Sequence, residues 1–342
     1  MTILWLEGFD SWASSADGTA KGWIQNNAFL STGRFGGQAL GISTGGPAFL
    51  DRILPTPKTT LYVGAAFKFI STNIGTNNNG ALFRFYGSDT AASLIVGLNS
   101  SGLLAILGSG WTGPGTVGTA TINPGAGWTY LEVQVVWSTS ATGTVKVWQD
   151  GTLIYSNTAI QTALSGHGSA FGQIEISTPY CSNGSNNSAY FDDLYGSDSA
   201  ILGPIRVATT RPTSDNTGQG WTPSTGTTNY DKVNATIQNG GTPNVSASAN
   251  SLTDLYGMGA LPTSGVGAPI AVQPIVAATG AGNTISTSIK TGGTIYNSGT
   301  VAVPTAVNLI APKIWEVNPN TGLAWTASDV NAMLVGMTNG AP

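Results

Sequence analysis

The apolar positions of this chain come in short runs that alternate with polar ones and are cut by Gly, Asn and Ser, the pattern of many short strands joined by tight turns. WTYLEVQVVW at 128–137 is the clearest run. Leu131, Val133, Val135 and Trp137 fall on one side and Glu132 and Gln134 on the other, which predicts a strand with one face in a core and the other at least partly wet. Further on, VKVWQDGTLIYS sets Asp150-Gly151 between two strand-like runs. A two-residue Asp-Gly loop favours a type I′ turn, because both central residues need positive φ. With Gln149 opposite Thr152, Trp148 faces Leu153 and Val147 faces Ile154. Apolar side chains then cover both faces, so the ribbon is expected inside a sandwich or at an interface.

The same logic recurs in LYVGAAFKFI at 61–70, ALFRFYG at 81–87, SLIVGL at 93–98 and LLAIL at 103–107, with AYFDDLYG at 189–196 closing the series. Strands at such spacing predict a sandwich or barrel. After Ser197-Asp198-Ser199 the texture shifts toward Thr, Asn and Pro, which places a boundary near Gly203-Pro204 and divides the chain into domains 1–203 and 204–342. The first is expected to fold alone as residues 1–200. The second has weaker strands broken by Gly and Pro, and marginal stability is expected of it. Its one helix signal is Thr326-Ala327-Ser328-Asp329, a capping box opening DVNAMLVGM, with Val330, Met333 and Leu334 as an apolar stripe.

A length of 342 residues suits two cores better than one. Hydrophobic residues make up 41% of the chain and charged residues only 8%, where about 25% charged is usual. Disorder is excluded all the same, because the net charge is only -4 and the chain holds 10 Trp, 10 Tyr and 10 Phe. The 12 Lys and Arg form no basic cluster, so nucleic acid is not expected as a partner. No run of 18 apolar residues occurs, and membrane insertion is not expected either. The start, Met1 to Trp12, lacks the basic and long apolar regions of a secretory signal, so synthesis and folding in a cytosol are expected. Cys181 is the sole cysteine and is read as a small unreactive filler.

Several segments together resemble a family of tailed-bacteriophage virion structural proteins of tail, minor structural or capsid-decoration type. LWLEGFDSW, GRFGGQAL at 33–40, VKVWQDGTLIYS and YFDDLYG are similar to the first domain of these proteins. LGPIRVATTRPTSDNTGQGWTPSTGTTNYDKVN at 202–234 and IWEVNPNTGLAWTASDVNAMLVGM at 314–337 resemble their second domain, in the same order. The family has an acid where Pro204 and Asn234 stand, so any role of those acids is lost here, and residues 237–313 match poorly. The resemblance implies an all-β protein with an N-terminal concanavalin A/laminin-G-like jelly-roll sandwich and a smaller C-terminal β-rich domain with one short helix. It also implies a virion component made in the bacterial host cytoplasm, homo-oligomeric and in contact with other capsid or tail proteins.

Candidate chemistry is sparse. His167 is the only histidine, and no G-x-S-x-G elbow is present, so a nucleophilic triad is excluded and His167 is read as an exposed loop residue. A glycosidase needs two carboxylates across a cleft, and no E-x-D strand pair stands among the 16 acidic residues. Asp192 and Asp193 are consecutive and should point to opposite faces, so a structural role at a sheet edge is preferred, with calcium at Asp89 or Asp192 as the minority reading. No catalytic residue, metal or cofactor is therefore expected, and the chain is read as a non-enzymatic structural protein. The alternatives are an adhesin that binds host-surface carbohydrate and, ranked third, a glycan depolymerase. Trp111 in GSGWTGPG and Tyr180 in STPYCSNGSNN are the loop aromatics expected to touch a glycan or a protein partner.

Overall fold

The computed structural model describes residues 2–15, 17–42, 49–69, 80–99, 102–108, 115–121, 127–177, 189–216, 218–235, 242–264, 267–280 and 282–340. Trp111, Tyr180 and Cys181 lie outside the described residues. The chain divides into two compact units, Met1–Phe9 with Ser14–Val207 and Asp10–Ala13 with Ala208–Pro342.

Strands β1 (Ile3–Glu7), β2 (Trp23–Asn26), β3 (Ala28–Thr32), β4 (Gln38–Ile42), β5 (Phe49–Lys58), β6 (Thr60–Phe69), β7 (Gly80–Gly87) and β8 (Ala92–Leu98) open the first unit. They are followed by β9 (Leu103–Gly108), β10 (Gly115–Thr121), β11 (Thr129–Val136), β12 (Gly143–Gln149), β13 (Thr152–Ile160), β14 (Phe171–Ser177) and β15 (Ala189–Ser197). One sheet runs β13-β12-β11-β6-β15-β4-β3, with β1 also on β15, and the other runs β10-β9-β8-β7-β14-β5-β2. Every described pairing is antiparallel, in a jelly-roll sandwich. Leu61, Val63, Ala65 and Phe67 of β6 stand beside Leu131, Val133 and Val135 of β11 on the inner face of the first sheet. Phe67 crosses the core to Phe83 of β7, edge to face at 5.3 Å, and meets Phe191 of β15 at 4.9 Å. Removing so well packed a ring costs about 3–5 kcal/mol.

The outer face of the first sheet is wet only in part: Gln134 of β11 is half-buried, but the rest of this face near β15 is covered. Tyr130, Glu132 and Tyr195 are buried there, and Leu202 and Ile205 pack against Tyr130, Tyr195 and Ala66. Chain that follows β15 has folded back over the sheet. Tyr195 donates to Glu132 Oε1 at 2.6 Å, and burial raises the Glu132 carboxyl above its ordinary pKa. Gly64 makes this layer possible: a Cβ there would lie 2.2 Å from the Tyr195 ring.

The β12–β13 hairpin forms around Asp150 (φ 48°) and Gly151 (φ 81°), with Gln149 opposite Thr152 and Trp148 opposite Leu153 as the turn chemistry requires. A bulge follows, so Val147 faces Tyr155 rather than Ile154. The ribbon is at a sheet edge rather than inside, because among the described strands β13 has a neighbour on one side only, and Leu153 is exposed.

The second unit is built on a sheet of β16 (Pro212–Asp215), β17 (Thr253–Met258), β18 (Thr284–Thr291), β19 (Thr294–Asn297), β20 (Val301–Ala302) and β21 (Leu334–Gly340). β21 lies between β17 and β18. Ile289, Trp315, Trp325, Val330 and Met333 form one buried cluster, and Tyr256, Ile285, Val303 and Met337 another. The capping box is present: Thr326 Oγ1 accepts from the Asp329 amide, and Asp329 Oδ2 accepts from the Thr326 amide. The helix it opens covers only Ala327–Ala332. Leu334 belongs to β21 rather than to the helix stripe, because pairing on both edges of that strand outweighs local helix propensity.

Candidate functional site

In the second sheet of the first unit, β5, β14 and β7 are neighbours. Leu50, Ile174, Ile176, Phe83 and Phe85 point into the core from these strands. Alternation sends the residues between them to the outer face. Asp51 stands opposite Glu175, and Glu175 opposite Arg84, so three charged residues form a row across three strands. The next row holds Ile53, Gln173 and Tyr86. Ile24 of β2 extends the first row on the far side of Asp51. On the other flank Arg84 faces Ile95 of β8, which clusters with Ala81 and Leu107.

The polar groups of this face are tied together. Tyr86 Oη donates to Glu175 Oε2 at 2.6 Å, and Arg84 Nη1 pairs with Glu175 Oε1 at 3.0 Å. Gln173 Nε2 donates to Asp51 Oδ2 at 2.8 Å. Burial, and then the charge of Glu175, push the Asp51 carboxyl up to about 7. Burial and the hydrogen bond to Glu175 raise the Tyr86 phenol above its ordinary value, so it stays a donor.

Among the described residues Glu175 Oε1 has no hydrogen bond beyond its ion pair with Arg84, and two further positions of this face have no partner. Asp51 Oδ1 and Arg84 Nε are buried atoms with no hydrogen-bond partner among the described residues. Asp51 itself is only 7% exposed, whereas Ile24 and Ile53 beside it are 46% and 53% exposed. Large apolar side chains standing in solvent beside buried polar atoms that lack partners form the usual composition of a ligand-binding surface.

Other charged positions carry structural work. Asp192 and Asp193 do not diverge as consecutive strand residues should. A bulge and the positive φ of Asp193 (53°) bring both to Arg34, whose amide donates to Asp192 Oδ2 and whose Nη1 pairs with Asp193 Oδ2. They lie on β15 inside the first sheet, not at its edge. His167 Nδ1 lies 2.7 Å from Asp89 Oδ2 on the surface, a pairing with no signal in the sequence. Among the described residues no group of three or more His, Cys, Asp or Glu is placed to hold a metal ion. No helix among the described residues is long and apolar enough to cross a membrane.

No protein-family model and no curated protein matches the chain. Solved structures that it is similar to include an endo-β-1,4-glucuronan lyase from the fungus Trichoderma reesei, at 15% identity and a TM-score of 0.44 over 60% of this chain and 100% of that one. They also include the alginate lyase Aly36B, in a variant bound to alginate trisaccharide, at 13% identity and a TM-score of 0.42 over 57% of this chain and 98% of that one. A third is domain 4 of an extracellular arabinanase from Geobacillus stearothermophilus in complex with arabinotriose, at 14% identity and a TM-score of 0.39 over 59% and 94%.

The expectation that the chain is not an enzyme is corrected by these findings, since polysaccharide lyases stand among the similar structures. Its basis in the sequence was incomplete as well. That reading looked for two carboxylates spaced along one strand, whereas Asp51 and Glu175 meet from different strands with 124 residues of numbering between them. The local signal was present in FGQIEIS, where Gln173 and Glu175 alternate with two isoleucines, but nothing in that run names its partner strands.

Proposed function

We propose that the outer face of β5, β14 and β7 binds carbohydrate. The observation that carries this reading is the pair of unused buried hydrogen-bonding atoms, Asp51 Oδ1 and Arg84 Nε, set in a polar row beside exposed Ile24 and Ile53. A sugar ring offers hydroxyls that donate and accept, together with apolar C–H faces, and so matches both halves of such a surface. Protonated Asp51 and its free oxygen serve hydroxyl groups of either sense, Arg84 Nε donates, and the isoleucines cover C–H faces. The similar carbohydrate-active structures agree with this reading without adding weight to it.

We propose also that the module acts as an adhesin on a tailed-phage particle, assembled as a homo-oligomer with other virion proteins. The stretches at 202–234 and 314–337 support that placement, and the exposed Leu153 on edge strand β13 supports self-association. Imaging labelled protein on intact particles tests the placement.

The binding reading is tested with the full chain on a glycan array, followed by titration calorimetry with each oligosaccharide retained. Binding is expected, with a loss of about tenfold or more in affinity for Arg84→Gln and for Ile53→Asp, the change that about 1.4 kcal/mol produces. Absence of any glycan ligand, or affinities unmoved by both substitutions, overturns the reading.

A further inference from the structure

The opposed positions of Asp51 and Glu175 suit more than binding. Residues directly opposite on antiparallel strands have Cβ atoms about 5 Å apart. Side chains that start from such positions on one face can bring their carboxyl groups to the separation of about 5 Å at which retaining glycoside hydrolysis works, one group as acid and the other as nucleophile. The surroundings here set the two apart. Glu175 Oε2 accepts from Tyr86 Oη, and Glu175 Oε1 has no hydrogen bond among the described residues but lies 3.0 Å from Arg84 Nη1 in an ion pair, which stabilises the anion. Among the described residues Asp51 has one donor, Gln173, on one oxygen, and its other oxygen has no hydrogen bond. A proton shared between the two carboxyls therefore resides on Asp51.

We propose that Asp51 and Glu175 form an acid and nucleophile pair that hydrolyses a glycosidic bond of a neutral glycan. This rests on the carbohydrate-binding reading of the same face. Glu175 attacks the anomeric carbon as the bond to the leaving oxygen breaks, and Asp51 transfers its proton to that oxygen. Water then attacks the glycosyl ester, giving its proton to Asp51, and Glu175 leaves as carboxylate. The balance is one glycosidic bond and one water consumed, with two free hydroxyl ends formed. Burial and the neighbouring Glu175 charge keep Asp51 protonated up to about pH 7, in the range an acid working near neutrality needs.

The same residues argue against an acidic glycan and against cleavage by β-elimination. A uronate carboxylate needs a cation to neutralise it, and the one cation of the row, Arg84, is already paired with Glu175. Elimination also needs a base, and Tyr86 is held as a donor with its phenol raised above the ordinary value.

The full chain is incubated with neutral polysaccharides (arabinan, galactan, xylan, glucomannan and β-glucan) and with alginate and polyglucuronate. New reducing ends and the absorbance of unsaturated uronate ends are both followed. Reducing ends from at least one neutral polymer are expected, without unsaturated ends. Asp51→Asn and Glu175→Gln, each with a melting curve like that of the parent, should lower the rate about 100-fold or more while glycan binding persists. Activity should fall as pH rises past about 7, and azide should restore turnover to Glu175→Ala. A chain that binds glycan but releases no reducing ends from any neutral polymer overturns the catalytic pair and leaves the binding reading standing. Unsaturated ends from the acidic polymers would overturn it in favour of elimination. Loss of binding to every glycan would overturn the binding reading itself.

Discussion

Asp254 lies fully buried in the second unit, where its oxygens accept from the Gly220 and Trp221 amides, Asn229 Nδ2 and Tyr256 Oη at 2.6–2.9 Å. Each donor orphaned by Asp254→Ala carries a desolvation penalty of about 1–3 kcal/mol. The variant should therefore lose about 3 kcal/mol or more in urea denaturation, and a loss below about 1 kcal/mol would show that water replaces the carboxylate. Asp51 is the opposite case, a buried carboxyl with one oxygen unserved. Its folded pKa of about 7 lies above the ordinary 3.8, so the native protein holds a proton that the unfolded chain releases. The stability this proton provides is full below about pH 3.8 and lost as pH rises to about 7. Denaturation midpoints taken at pH 4.5 and 7.5 should fall toward the higher pH. Asp51→Asn should flatten that slope, in part only, because burial raises Glu132 and Asp193 in the same direction.

Two short elements show how far local chemistry reaches. At the β12–β13 turn a left-handed backbone is required at Gly151, and a side chain there costs about 1–2 kcal/mol. Gly151→Val should lower the stability of the first unit by that amount, read from its thermal or urea transition. At the helix Ala327–Ala332 the capping box holds the first turn, so Thr326→Ala should cost the second unit about 1 kcal/mol. Both turn and cap were legible in the residues that form them. The residues just beyond were not: Val147 changes partner through a bulge, and Leu334 leaves the helix for a central strand. Register and pairing there follow neighbours distant in the chain.

The first unit extends past its last strand. Leu202 and Ile205 pack over Tyr130 and Tyr195, the Leu202 amide donates to Tyr195 Oη at 3.0 Å, and the Val207 amide donates to Asp193 Oδ1 at 2.8 Å. A fragment of residues 1–200 keeps both sheets but bares this layer, at a cost of about 1.5–3 kcal/mol for each large apolar side chain uncovered. It should melt below a fragment of residues 1–209, with greater binding of a hydrophobic dye. Equal melting temperatures would show that the layer contributes nothing to the sandwich.

By itself the sequence determined the all-β class, several strands of the sandwich (β6, β7, β8, β9, β11 and β15, but not β5 or β14), the Asp150-Gly151 turn and the cap at Thr326, because alternation, turn residues and caps act over a few neighbouring positions. Tertiary structure alone decided that Glu132 is buried, because the cover comes from chain 70 residues further on. It alone brought Asp192 and Asp193 to one arginine, through a bulge that alternation does not foresee. The candidate site belongs to the same class. Asp51, Arg84 and Glu175 lie on three strands well apart in sequence, and only the pairing of β5, β14 and β7 sets them in one row. A strand's pattern states which side chains share its face, whereas the strands beside it are chosen by the packing of the whole sheet.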